Sequence, residues 1–121
     1  MKSCLVVDDS RVVRKVACRI LTDLGFATAE AEDGVTALES CRLHMPEVIF
    51  LDWSMPNMTG LEFLRALRRD RGGDKPVVVF CTTENDTTHI TEALSAGANE
   101  YIVKPFDRDI IKAKLAEVGL V

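Results

Sequence analysis

The sequence predicts an α/β fold, a single doubly wound layer of five βα units around a mostly parallel five-stranded sheet. Two observations carry this reading. Short apolar runs rich in β-branched residues alternate along the chain with longer segments of helical period, and no Pro/Gly/Ser-rich linker interrupts them. Several of the runs are apolar at successive positions, as a sheet covered on both faces by helices requires. The units recur roughly every 25 residues without resembling one another in sequence, which argues against a solenoid.

In chain order, the first strand is Cys4–Val7. The segment Ser10–Leu24 follows, with Val13, Val16, Ala17, Ile20, Leu21 and Leu24 on one helical face and Arg14, Lys15, Arg19 and Asp23 on the other. Gly25 supplies a left-handed stop. Ala27–Ala31 is the second strand, and Val35–Leu43 the second helix, stopped by Pro46. The third unit pairs Val48–Leu51 with a helix over Leu61–Arg71, closed by Gly72 and Gly73. The fourth pairs Val77–Cys81 with Thr88–Ala96 before Gly97, and the fifth pairs Tyr101–Val103 with Asp107–Val118 before Gly119.

With 121 residues, 47% of them hydrophobic and 28% charged, the chain fits one globular domain over residues 1–121 with a core of its own. The longest apolar runs, such as Val77–Cys81, are far too short for a membrane span, and Met1-Lys2-Ser3-Cys4 leads directly into a strand, so a cytoplasmic location is expected. A net charge of −4 argues against whole-surface attraction to nucleic acid or anionic lipid; no membrane association and no direct DNA binding are expected. Cys4, Cys18, Cys41 and Cys81 sit in apolar patterns without Cys-x-x-Cys spacing, which reads as reduced, buried thiols. His44 and His89 have no second histidine at ligand spacing and read as surface or partly packed residues. The run Arg65, Arg68, Arg69, Arg71 reads as a solvated helix end, favoured by the helix dipole and by Glu62 one turn earlier.

In an open parallel sheet, ligands bind beyond the carboxyl ends of the strands. Asp8 and Asp9 follow the first strand, Asp52 ends the third, Thr82 follows the fourth, and Lys104 and Pro105 follow the fifth. All of them converge on one rim. Three carboxylates near 4 Å apart repel by roughly 1 to 4 kcal/mol per pair, depending on the local dielectric. A cation is needed there, and oxygen-only ligands favour Mg²⁺. Lys104 adds a second, fixed cation. A carboxylate beside both is placed to attack a phosphoryl group, which makes Asp52 the candidate nucleophile. Taken singly, each signal has a plainer reading: Asp9 or Ser10 as a helix cap, Asp52 and Lys104-Pro105 as turn formers. Their joint placement at the ends of strands one, three and five favours chemistry.

The stretches Leu5-Val-Val-Asp-Asp-Ser10, Phe50-Leu-Asp-Trp-Ser-Met-Pro-Asn-Met-Thr-Gly60 and Tyr101-Ile-Val-Lys-Pro-Phe106 resemble response-regulator receiver domains, stand-alone receivers of the chemotaxis type most of all. The resemblance covers essentially the whole chain. It implies a flavodoxin-like sheet of order 2-1-3-4-5, and Mg²⁺ held by Asp9, Asp52 and the backbone carbonyl of Ser54, with Asp8 acting through water. It also implies that Thr82 contacts the phosphoryl group, that Lys104 pairs with it, and that Pro105 follows a cis peptide bond. The partners so implied are a sensor histidine kinase or histidine phosphotransfer protein as donor and a downstream protein target on the last two helices and last strand. Such a domain is no enzyme beyond aiding its own phosphorylation and dephosphorylation.

Three positions depart from the chemotaxis pattern: Thr59 where an acid is frequent, Ser54 where Asn stands, and Thr83 where Ala is usual. The last two flank the acceptor and bear on access of an attacking water. Trp53, Tyr101 and Phe106 resemble the signalling surface of such domains, and core packing would equally explain aromatic residues there. Tyr101 is expected to turn inward when Thr82 moves toward the phosphoryl group, with the Thr83–Thr88 loop contributing. Two other classes compete. A small magnesium-dependent phosphohydrolase would usually carry a second Asp two residues after the nucleophile, where this chain has Ser54. A flavin or nucleotide module would need a glycine-rich phosphate loop after the first strand, where Asp8-Asp9-Ser10-Arg11 stands.

Overall fold

The computed structural model describes residues 2–83 and 87–121. Its elements run β1 Lys2–Val7, α1 Arg11–Asp23, β2 Phe26–Ala31, α2 Gly34–Leu43, β3 Val48–Asp52, α3 Gly60–Arg69, β4 Val77–Thr82, α4 Thr87–Ser95, β5 Glu100–Val103 and α5 Arg108–Glu117. The strands form one parallel sheet of order β2-β1-β3-β4-β5. Strand order therefore reverses between β1 and β3, where the connections leave for opposite faces. Among the described residues no helix is long and apolar enough to cross a membrane.

Alternation along each strand divides the core in two. Leu5, Val7, Ile49, Leu51, Val78 and Phe80 face α2, α3 and α4, where they meet Leu38, Phe63, Leu64 and Leu67. Cys4, Val6, Val48, Phe50, Val79 and Ile102 face α1 and α5, where they meet Ala17, Leu21, Ile111 and Leu115. Every residue of β3 is buried, as its unbroken apolar run predicts for a central strand. The edge strand β2 alternates less cleanly and leaves Ala27 and Ala29 exposed.

The helices start where their side chains can cap them. Ser10, Asp33, Thr59 and Asp107 each accept a hydrogen bond from a backbone N–H in the first turn of α1, α2, α3 and α5, a contribution of about 1 kcal/mol apiece. Thr59 and Glu62 form a reciprocal capping box. Gly25, Gly97 and Gly119 follow α1, α4 and α5 with positive φ.

The structure corrects three local readings. The third helix ends at Arg69 rather than Arg71, because Asp70 turns extended and its carboxylate is taken by Arg42 of α2 at 2.9 Å. Val16 is 46% exposed, because the buried stripe of α1 runs through Ala17 and Leu21 and leaves Val12 and Val16 outside it. Arg68 is no solvated helix end. Its guanidinium turns inward and donates to the carbonyls of Gly73 (2.8 Å), Pro76 (2.9 Å) and Gly97 (2.6 Å) and to Asn99 Oδ1 (3.1 Å). It ties α3 to the chain entering β4 and β5. Gly97 serves this contact, since a Cβ there would press on the Arg68 side chain at 3.0 Å. Arg65, Arg69 and Arg71 remain exposed.

Candidate functional site at the carboxyl rim

Asp8 lies one residue past β1 and is 3% exposed. Its N–H donates to the Ala31 carbonyl at 3.1 Å, its Oδ1 accepts from the Ser10 N–H at 2.9 Å, and its carbonyl accepts from Arg14 Nη1 at 2.7 Å. Asp52 ends β3 opposite Cys81 of β4, in the row of Val48 and Phe50 on the α1/α5 side, and is 7% exposed. The chain beyond it is fixed by two backbone bonds, from Trp53 N–H to the Cys81 carbonyl at 2.9 Å and from Gly60 N–H to the Trp53 carbonyl at 3.0 Å. Gly60 is required there. Any Cβ would collide with the carbonyl oxygen of Asp52, so only glycine lets α3 begin this close to the strand end.

Thr82 ends β4 and is buried, on the opposite side of the sheet from Asp52, in the row of Val78 and Phe80. Lys104 follows β5. Its N–H donates to the Thr82 carbonyl at 2.7 Å, and its peptide bond to Pro105 is cis. The Lys104 ammonium donates to Asp8 Oδ2 at 2.7 Å and to Asp52 Oδ1 at 3.0 Å. Asp8, Asp9, Asp52, Ser54, Thr82, Thr83 and Lys104 all line one cleft of about 480 Å³.

The electrostatics follow from this packing. Burial pushes the Asp52 carboxyl up to about 6, against the pull of Lys104, and the charges of Asp8 and Asp9 push the same way. Burial pulls on the Lys104 ammonium in the other direction, yet its contacts with Asp8 and Asp52 win and hold it above the usual lysine range. Carboxylate oxygens of Asp8, Asp9 and Asp52 come within 4.8 Å of one another, with Asp9 exposed to solvent. One ammonium faces three acids. An all-oxygen donor set of this size, open on one side, fits a small hard cation that keeps some of its water.

Tyr101 does not line the cleft. It pairs with Phe80 near the start of β5, two register positions before Val103 meets Thr82, with its ring 6.1 Å from that of Phe80. Its side chain thus stands on the same face as Thr82 but below the rim. Lys114 of α5 lies over the Tyr101 ring at 4.5 Å and pairs with Glu100 at 3.2 Å. Residues 84–86 of the Thr83–Thr88 loop lie outside the described residues.

Two features of the rim were not legible in the sequence. His89 of α4 lines the cleft and stacks on Trp53, with ring centroids 5.1 Å apart; no ligand spacing could have signalled it. Arg14 does not point to solvent with Lys15 and Arg19 but is bound against Asp8 and Glu30. A signal for it existed: α1 opens with basic residues and no acid in its first turn, against the helix dipole. Three of the four cysteines match the sequence reading, while Cys18 on α1 is only partly buried. Cys4, Cys41 and Cys81 are buried, and burial pushes the Cys81 thiol up to about 12.

Residues 4–116 match the response regulator receiver domain. The chain is 41% identical over 115 residues to the chemotaxis protein CheY of Pseudomonas aeruginosa, covering 94% of this chain and 93% of that protein. It is 39% identical over 116 residues to chemotaxis protein CheY1 of Helicobacter pylori, covering 94% of each. The structure superposes on that of the chemotaxis response regulator CheY4 of Vibrio cholerae with a TM-score of 0.92 at 33% identity, over 98% of both chains.

Proposed function

Because the chain belongs to the response regulator receiver family, we propose that Asp52 is its phosphoryl acceptor and that phosphorylation there changes which partner the domain binds. One observation carries this reading: a buried carboxylate at the end of the central strand shares an ammonium with a second buried carboxylate at the edge of an open cleft. Lys104 occupies Asp52 Oδ1, which leaves Oδ2 to attack. Asp52 Oδ2 forms a bond to phosphorus as the donor's bond to phosphorus breaks, and the donor leaves with that electron pair. If the donor is a phosphohistidine on a sensor kinase or phosphotransfer protein, the departing imidazole nitrogen takes a proton.

Lys104 and the Thr82 hydroxyl would donate to the transferred phosphoryl oxygens, with Lys104 keeping its contact with Asp8. Asp9, Asp52 and the Ser54 carbonyl, with Asp8 acting through water, would hold Mg²⁺, which would supply positive charge to the transferring phosphoryl group. The phosphohydrolase alternative is not favoured, given the family to which the chain belongs and Ser54 in place of a second acid.

The switch runs from Thr82 to Tyr101 along one face of β4 and β5. Reversing a 1:99 population takes about 5.5 kcal/mol, and one hydrogen bond to a charged group supplies about 1.5 to 3. Thr82 therefore shares the work with Lys104 and the loop after it. The partner surface comprises α4, β5 and α5, where Leu94 of α4 and Ile110 of α5 are exposed. The site of action is the cytoplasm.

The test is intact-mass measurement after incubation with magnesium and acetyl phosphate. Wild type gains one phosphoryl group, whereas Asp52→Asn or excess chelator prevents the gain. Equal labelling of wild type and Asp52→Asn would remove Asp52 from the reaction.

A further inference from the structure

We propose that Arg14, braced by Glu30, is a positioning residue that sets the direction of the Asp9 carboxylate. This rests on the reading above that Asp9 and Asp52 hold magnesium. Side chains on a helix lean toward its N-terminus, and Arg14, 14% exposed, leans back far enough to reach the turn before α1. Its Nη1 donates to the Asp8 carbonyl at 2.7 Å, and its Nε donates to Glu30 Oε1 of β2 at 3.0 Å. Lys15 holds the other oxygen of Glu30 at 2.7 Å. The hydrogen bond from Lys15, foremost, and that from Arg14 keep the Glu30 carboxyl below its ordinary range, which burial alone would raise.

The carbonyl of Asp8 and the N–H of Asp9 belong to one rigid peptide plane. The other contacts of Asp8 hold its own side chain and its N–H: Ser10 and Lys104 take the carboxylate, and Ala31 takes the N–H. The contact from Arg14 fixes the orientation of the plane leading into Asp9. Asp9 is exposed, so its aim into the cluster within 4.8 Å is set chiefly by its backbone. A lysine at position 14 could reach one acceptor, but the guanidinium fork holds carbonyl and Glu30 together. Partners that orient a metal ligand in this way typically change metal affinity by about 10- to 100-fold when lost.

The experiment titrates magnesium at a temperature where circular dichroism shows every variant folded, following emission of Trp53, the only tryptophan, which lines the cleft, and amide resonances of residues 8–10 and 52–54. The expected dissociation constant rises about tenfold or more in Arg14→Ala. It rises less in Arg14→Lys and Glu30→Gln and is unchanged in Arg11→Ala, a substitution at an exposed arginine of the same turn. A folded Arg14→Ala protein with the wild-type constant, even if it melts earlier, overturns the proposal. Should Arg14→Ala not fold, wild-type constants in both Arg14→Lys and Glu30→Gln overturn it equally. If wild type shows no saturable response, or Asp9→Ala leaves that response intact, the magnesium reading itself fails and the brace fails with it.

Discussion

The two ends of the sheet treat charge in opposite ways. At the amino end, Arg68 meets three backbone carbonyls and the Asn99 side chain. The same Asn99 oxygen accepts from the Val78 N–H at 2.8 Å, and the Asn99 N–H donates to the Val78 carbonyl at 2.8 Å. One cation is matched there by neutral acceptors, and burial draws the guanidinium below its usual range against the opposing charge of Asp74. At the carboxyl end, three acids face one ammonium, and Asp52 is pushed up to about 6. A matched network stabilises the fold and leaves nothing for a ligand to do. An unmatched one costs stability and so makes a ligand's charge worth binding.

The largest effect should come from breaking the matched end. Arg68→Ala strands several carbonyls and is expected to cost about 3 kcal/mol. Urea denaturation should show the loss as a lower midpoint with an unchanged slope. The folded variant should still accept a phosphoryl group from acetyl phosphate at the wild-type rate. A slowed reaction would mean that the two ends are coupled.

Next in size is the response of the unmatched end to magnesium. Native-state binding adds about 2.7 kcal/mol at a hundredfold excess over the dissociation constant. Thermal melts should therefore shift upward with magnesium in wild type and in Arg68→Ala alike, and much less in Asp9→Ala. An Asp9→Ala protein that keeps the full shift would remove Asp9 from the site.

The smallest effect is the pH dependence carried by Asp52 without metal. Its folded value of about 6 lies above the ordinary 3.8, so the folded state holds its proton more tightly than the unfolded chain does. The stability this contributes is complete below pH 4 and is lost as pH rises through 6. Between pH 4 and 8 the loss is on the order of 2 kcal/mol. In chelator, Asp52→Asn should flatten that part of the stability profile and gain on wild type above pH 6. Parallel profiles for the two proteins would mean that Asp52 is not destabilised by its neighbours.

Much of this was legible in the chain. The five runs and their helical partners stand in the structure within a few residues of where periodicity places them, because unbroken apolar strands and capped amphipathic helices are local signals. The rim residues Asp8, Asp9, Asp52, Thr82 and Lys104 follow from their positions at the ends of strands and Ser54 from the resemblance to receiver domains, and one cleft brings them together. Tyr101, the first residue of the fifth apolar run, is the second residue of β5 and stands below the rim. The errors concern side chains whose direction depends on distant segments.

Arg14 and Arg68 show why. In sequence both are long cations on the polar face of an amphipathic helix, and apart from the missing acid in the first turn of α1 nothing local distinguishes Arg14 from Arg19 or Arg68 from Arg65. The α/β class, the order of the elements and the rim on which the acids fall can be read from the chain alone, since strand and helix periods and the alternation of units are local properties. Which cations turn inward depends on packing, because their acceptors come from elsewhere: Glu30 from β2 for Arg14, and the carbonyls before β4 and β5 for Arg68. A guanidinium leaves water only where several fixed acceptors converge on it, and that convergence arises when the segments pack.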